Sequence, residues 1–234
     1  MAETSFNINT EEMEKAGLQF GHKTSRIHPK MMPFLTGVRN TVHIIDLEKS
    51  AEKLKEALKF IQKIISEDKN LLIVGTKIQA KGLVKSMAEE TGMPYVSERW
   101  LGGTFTNFEI IKKRLDYFKD LESKKASGEL EKYTKKERLL IDRKIKDLTI
   151  NFGGIKNLNK LPDAIFVVDV KKDILAVKEA KLKGVKITGI SDTNIDPNLL
   201  DYPIPANDDS VSSIKYVLEK VKEAINQGKS KIKA

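Results

Sequence analysis

Two hydrophobic rhythms divide this chain. Short unbroken apolar runs, Leu71-Leu72-Ile73-Val74, Ala164-Ile165-Phe166-Val167-Val168 and Val185 to Ile190, have the length and continuity of strands buried on both faces. Between them, apolar residues recur at three- and four-residue steps, the period of a helix with one buried face. Asp46 is placed to cap such a helix, whose stripe is Leu47, Ala51, Leu54, Leu58, Ile61 and Ile65. A second helix follows the first run, with Ile78, Leu83, Val84, Met87 and Ala88 inward and Gly92 as its stop. Tyr95-Val96 then opens another strand. A third helix, through Ile174, Val177 and Ala180, ends at Gly184. The last carries Val211, Ile214, Leu218, Val221 and Ile225 behind the capping series Asn207-Asp208-Asp209-Ser210. Helices alternating with buried strands make right-handed crossovers in a parallel sheet, so the expected class is α/β. Tyr202-Pro203-Ile204-Pro205 fits only an edge or terminal strand, because proline has no amide to donate.

Two regions depart from this alternation. At the start, Asn9 or Thr10 caps a short helix closed by Gly17. Phe20 to Lys30 is then too rich in Gly, Pro and polar residues for regular structure. Phe34 to Thr36 and Val42 to Ile45, flanking Gly37-Val38-Arg39-Asn40, predict a hairpin. The second departure begins at Arg99-Trp100-Leu101-Gly102-Gly103-Thr104-Phe105-Thr106-Asn107, which holds the only Trp and a Gly pair. A long charged segment follows, with Phe108, Ile111, Leu115 and Phe118 on one stripe. After a break at Ser127-Gly128, Thr134-Lys135-Lys136-Glu137 reads as a capping box, and Ile141, Ile145, Leu148, Phe152 and Ile155 repeat the stepping. Two stripes joined by a break predict an antiparallel helical hairpin, a coiled-coil arm over residues 105–157. The α/β core is then residues 1–104 and 158–228, with a basic tail at 229–234 carrying Lys229, Lys231 and Lys233.

Charge narrows the class of partner. The chain of 234 residues holds 42 Lys and Arg against 33 Asp and Glu, a net charge of +9, which favours a polyanion. From Ala16 to Ile45 the cations Lys23, Arg26, Lys30 and Arg39 meet no acid, and this stretch is read as a phosphate-facing surface. The arm has basic knots at Lys112-Lys113-Arg114, at Lys135-Lys136 with Arg138, and at Arg143-Lys144 with Lys146. Intervening acids leave these open between a solvated face and phosphate contact. With no Cys, disulfides and thiolate chemistry are excluded. Met1 to Asn9 does not read as a secretory signal, and no apolar run has a membrane-spanning length, so a cytoplasmic setting is expected.

Candidate chemistry is sparse. Asp169, Asp192, Asp196, Asp208 and Asp209 fall where strands feed loops, the edge at which open α/β sheets bind ligands. That raises a nucleotide- or Mg²⁺-dependent phosphoryl-transfer enzyme as the alternative reading, with a protein-binding adaptor as a third. Val74-Gly75-Thr76-Lys77 supplies no acid, however, and neither a Walker loop nor a Gly-x-Gly-x-x-Gly pattern occurs. No nucleophile has an assignable base, so turn-forming and capping aspartates are the preferred reading and no catalytic residue or cofactor is expected. His22, His28 and His43 match no ligand spacing, and no metal is assigned to them. Trp100 is expected to be a buried anchor, with Gly102 and Gly103 turning the chain. Arg99 either projects toward RNA at that corner or pairs internally with Asp169 or Asp192.

Ordered motifs carry a family resemblance across nearly the whole chain. They are Ala16-Gly17-Leu18-Gln19-Phe20-Gly21-His22-Lys23-Thr24, Asn40-Thr41-Val42-His43-Ile44-Ile45-Asp46-Leu47, Val74-Gly75-Thr76-Lys77-Ile78-Gln79-Ala80 and the Arg99 to Asn107 loop. Leu161-Pro162-Asp163 with Val167-Val168-Asp169, Asp192 to Pro197 and Ile204 to Asp209 continue the series. Together they resemble the bacterial small-subunit ribosomal protein S-two family. Gln19 and Ile27-His28 depart from that family's usual pattern. The resemblance implies a flavodoxin-like three-layer core with an inserted helical hairpin. It also implies attachment to small-subunit ribosomal RNA and to neighbouring ribosomal proteins, including the large messenger-binding first protein of the small subunit.

Overall fold

The structure is a computed structural model that describes residues 6–232. Its elements in chain order are α1 (Thr10–Ala16), β1 (Phe20–Lys23), β2 (Leu35–Arg39), β3 (Val42–Ile45), α2 (Leu47–Ser66), β4 (Leu71–Val74), α3 (Lys81–Thr91) and β5 (Tyr95–Val96). There follow α4 (Phe108–Ala126), α5 (Lys135–Phe152), β6 (Ala164–Val167), α6 (Ile174–Leu182), β7 (Lys186–Ser191), β8 (Tyr202–Pro205) and α7 (Val211–Ile232). Met1–Ser5, part of the stretch read for a secretory signal, and Lys233 of the predicted tail lie outside the described residues.

Five strands form a parallel sheet in the order β5-β4-β6-β7-β8, the flavodoxin-like arrangement. The right-handedness of parallel crossovers decides where the helices lie. Stepping from β4 to β5 puts α3 on one face, where α1, α2 and α7 join it. Stepping the other way, through β6, β7 and β8, puts later connections on the opposite face. Strand residues therefore alternate between two cores. Leu71, Ile73, Ala164 and Phe166 pack with α1, α2, α3 and α7. Leu72, Val74, Ile165, Val167 and Ile187 pack with α6, Trp100, Phe105 and Leu158. The apolar residues of α4 and α5, Ile111, Leu115, Phe118, Leu121, Ile145 and Phe152, belong to this second core. Lys125 and Asp142 pair across the two helices at 2.7 Å, and Lys144 lies over the Tyr117 ring. As expected from its prolines, β8 is the edge strand.

Several details correct the reading from sequence. The segment assigned no regular structure supplies β1, which pairs with β3 in a small antiparallel sheet ordered β1-β3-β2. Gly21 permits this: a Cβ there would stand 2.4 Å from the Thr193 Cγ2. The hairpin turn is not Gly37 to Asn40 but Asn40-Thr41, both at positive φ (48° and 63°), while Gly37 lies within β2. Ile78, placed inward by its spacing, is 78% exposed, because the helix begins only at Lys81. Val211 is exposed as well. The described part of the expected basic tail is not separate: α7 continues to Ile232, and Lys229 donates to the Thr91 carbonyl at the end of α3. Gly228 is a contact point, since a Cβ there would meet the Ile65 Cβ at 2.8 Å.

Candidate functional site at the carboxyl edge of the sheet

Parallel strands deliver all their carboxyl ends to one edge, and the crossover direction reverses between β4 and β6, where such sheets open a crevice. Here the crevice is filled by this chain's own charges. Lys77, just beyond β4, sends its Nζ to Asp208 (2.7 Å), Asp209 (2.7 Å) and Asp169 (3.0 Å). Burial alone would lower the Lys77 ammonium, but hydrogen bonds to Asp208 and Asp209 outweigh it, and the pKa is raised. Asp208 is pushed up to about 7 by burial and by the nearby charges of Asp192 and Asp169, with Lys77 opposing. Thr76 donates from its hydroxyl (2.8 Å) and its amide (3.1 Å) to Asp173, whose burial raises its pKa.

His22 joins from β1. Its Nδ1 lies 3.1 Å from Asp192, and its Nε2 lies 3.4 Å from Asp209 and 2.8 Å from the Asn194 amide nitrogen. The bond to Asp192 raises the His22 pKa against the opposing effect of burial. Ligand atoms of His22, Asp192, Asp208 and Asp209 all lie within 4.8 Å of one another, a donor set of the kind that holds a divalent cation. The three histidines do not come together, yet one of them meets a carboxylate cluster that sequence spacing did not reveal. The reading of these aspartates as turn formers and caps holds for Asp196, which accepts from the Asn198 amide. It holds in part for Asp169, which accepts from the Lys172 amide at 2.8 Å, but Asp169, Asp192, Asp208 and Asp209 also converge from three strand ends. Lys77 thus ties Asp169, Asp208 and Asp209 together within the chain.

The loop between β5 and α4 forms a second corner. Trp100 is buried at 6% exposure and meets Phe105 edge-on at 4.9 Å, the anchoring expected of it. Gly103 has φ +90°. What holds the turn is Glu179 of α6, a residue the sequence reading did not single out. Its carboxylate accepts from the amides of Gly103 (2.7 Å), Phe105 (2.9 Å) and Thr106 (3.2 Å). Burial would raise its pKa, but these backbone donors hold it below the usual carboxylate value. Arg99 is exposed and has no ion pair among the described residues; Asp169 is engaged by Lys77 and Asp192 lies against His22. That excludes the internal pairing considered for it.

The other candidate cations stay at the surface. Lys23, Arg26, Arg39, Lys112, Lys113, Arg114, Lys135 and Lys136 are exposed, without an ion pair among the described residues. Lys23 and Arg39 are both registered opposite Val42, one strand to each side, so their side chains share a face of the small sheet. Lys30 differs, pairing with Asp196 at 2.6 Å.

A doubly wound domain whose crevice is closed by its own lysine, and whose unpaired cations face outward, belongs to the class of basic binding and scaffold proteins. The sequence profile of the family described as Ribosomal protein S2 matches residues 13–228, and the chain belongs to that family, which is structural and non-enzymatic. Among similar proteins are those called small ribosomal subunit protein uS2 in Chlorobaculum tepidum (46% identity, 97% of this chain and 90% of that one) and Fusobacterium nucleatum (45%, 94% and 90%). That of Roseiflexus sp. is 43% identical over 96% of this chain and 86% of its own.

Proposed function

We infer that the chain is a structural component of the small ribosomal subunit, held there by ribosomal RNA and neighbouring ribosomal proteins. The observation that carries the RNA contact is the set of exposed, unpaired cations on the small antiparallel sheet and its adjoining loop: Lys23, Arg26 and Arg39. An exposed ammonium or guanidinium outside any ion pair releases counterions when it meets phosphate, and Arg26 acts only at longer range on Asp209. Lys30 contributes less, because it must first give up Asp196. Arg99 and the arm cations Lys112, Lys113, Arg114, Lys135 and Lys136 extend the surface. The helices α4 and α5 form the antiparallel arm over residues 105–157, a coiled coil whose outer end meets RNA or protein. The large messenger-binding first protein is the protein partner this reading favours.

Titration with folded small-subunit ribosomal RNA over a salt series tests it. Replacing Lys23, Arg26 and Arg39 together by Ala should flatten the logarithmic salt dependence by about 2 to 3, at roughly 0.9 per lost duplex phosphate contact. Adding Lys30→Ala should change it less than any of the three. An unchanged slope in a folded variant removes these residues from the interface.

A further inference from the structure

At the amino-terminal side of the sheet, away from the charged crevice, a groove of about 620 Å³ runs between α2 and the edge strand β8. Phe60 and Tyr202 form its floor, stacked with ring centroids 4.2 Å apart and planes 17° from parallel. Neither ring is fully buried. The acids lining the groove are already engaged: Glu56 with Lys53 (2.8 Å), Glu67 with Lys69 (2.7 Å), and Asp163 with the Asn70 amide (2.9 Å). Lys186 is paired with Asp201 at 2.7 Å. Lys59 and Lys63 are the lining cations that form no ion pair among the described residues, although the Lys63 charge helps Lys69 hold the Glu67 carboxyl low. Four residues apart on α2, they rise from one helical face beside the aromatic floor.

We propose that this groove is a site for an unpaired nucleotide of RNA. Its base extends the Phe60–Tyr202 stack, and the phosphates on either side meet Lys59 and Lys63. Aromatic faces beside exposed cations are how single strands are bound without base-specific hydrogen bonds. A peptide adding to the edge of the sheet is disfavoured by β8 itself, since Pro203 and Pro205 have no amide to offer a new strand. The site rests on the reading of the chain as an RNA-bound protein and adds to it a single-stranded contact remote from the N-terminal cations.

The test uses the full chain and a short fluorescein-labelled oligouridylate, followed by anisotropy over a salt series. Phe60→Leu, which keeps apolar bulk but removes the ring face, should weaken binding roughly tenfold, whereas Phe60→Tyr should retain it. Lys59→Ala with Lys63→Ala should lower the logarithmic salt slope by about 1.4, two single-strand contacts at roughly 0.7 each. A 4-thiouridine oligonucleotide should cross-link to the α2–β8 groove in the wild type. Affinity unchanged by Phe60→Leu, or cross-links mapping elsewhere, would overturn the site. So would assembled subunits in which this groove cross-links to protein and not to RNA. The Lys23, Arg26 and Arg39 replacement separates the two claims: it should lose affinity for folded ribosomal RNA yet still bind oligouridylate. Groove variants that bind oligouridylate like the wild type, beside an N-terminal variant that loses ribosomal RNA, would sink the groove alone.

Discussion

One ammonium, Lys77, answers three carboxylates at the end of β4, and Asp208 is the one whose ionisation burial and its acidic neighbours oppose. Asp169, Asp192 and Asp208 are nearly inaccessible to water, and with His22 neutral only Lys77 brings a full positive charge among them. The sign of the resulting pH dependence follows from linkage. Asp208 has an ordinary pKa of 3.8 and a folded value of about 7, so between these the folded protein binds a proton that the unfolded chain has released. Its contribution to stability therefore falls as pH rises through that window. His22 acts in the same direction: its raised pKa stabilises fully below the ordinary 6.5, and that stabilisation is lost as pH rises through the folded value. Asp209 and Glu179, both held low, lose their contributions only as pH falls toward the acid range. Thermal unfolding should accordingly show a lower midpoint at pH 8 than at pH 5.5. Asp208→Asn, which keeps shape but removes the ionisation, should remove much of that difference. A variant with the wild-type pH slope would show that the carboxylate is not the sensor. None of this was legible along the chain, where Lys77 stands 92 positions from Asp169 and Asp208 looks like one more cap.

Elements carry their own logic, and the loop from β5 to α4 shows it best. Its motif announced an anchor and a turn, and Trp100 and Gly103 are these. The glycines nevertheless have different jobs. Gly103 sits at φ +90°, where a side chain is strained, and a Cβ would also approach the Asn107 Cβ at 3.4 Å. Gly102 has no such backbone demand, and a Cβ there would make ordinary contact with Leu175 at 3.6 Å. Gly103→Val should cost about 1–3 kcal/mol in chemical denaturation, and Gly102→Ala should be close to neutral. Equal losses from the two would mean that close packing, and not dihedral strain, selects both glycines. Hairpin β2–β3 teaches the opposite lesson. Gly37 looked like the turn because glycine tolerates any backbone, but Asn40 and Thr41 occupy the left-handed conformations. Local composition marked that a turn exists, while pairing with β3 decided where it falls.

For the whole molecule, the helices α4 and α5 are rooted in the second core beneath the sheet. Periodicity separated them from the α/β alternation, which makes 105–157 look removable as a unit. Ile111, Leu115, Phe118 and Leu121 on α4, and Ile145 and Phe152 on α5, instead share a core with Val74, Ile165 and Val167. Replacing residues 108–152 by a short Gly-Ser linker strips that face and should yield a destabilised, aggregating chain. Replacing only 123–140, which spares Ile141 and the other residues packed in that core, should leave cooperative unfolding with a midpoint within a few degrees of the wild type. If the longer deletion folds as well as the shorter, the root is not part of the core.

Sequence by itself determined the α/β class, the buried strands β4, β6 and β7, the helical stripes, the edge position of β8 and the basic character. Each of these is written in a local period or in composition, because burial on one face or two dictates which positions are apolar. Motif order also carried the family, which the homologous proteins bear out. Only tertiary structure decided that Lys77, His22 and four aspartates share one crevice, that Glu179 holds the Trp100 loop, and that Arg99 remains unpaired. These facts depend on which strand ends lie side by side, and parallel crossovers set that order across long stretches of chain. Charge position along a sequence carries no record of it. A polar residue has no period to betray its partner, so the electrostatic interior became visible only once the sheet had been assembled.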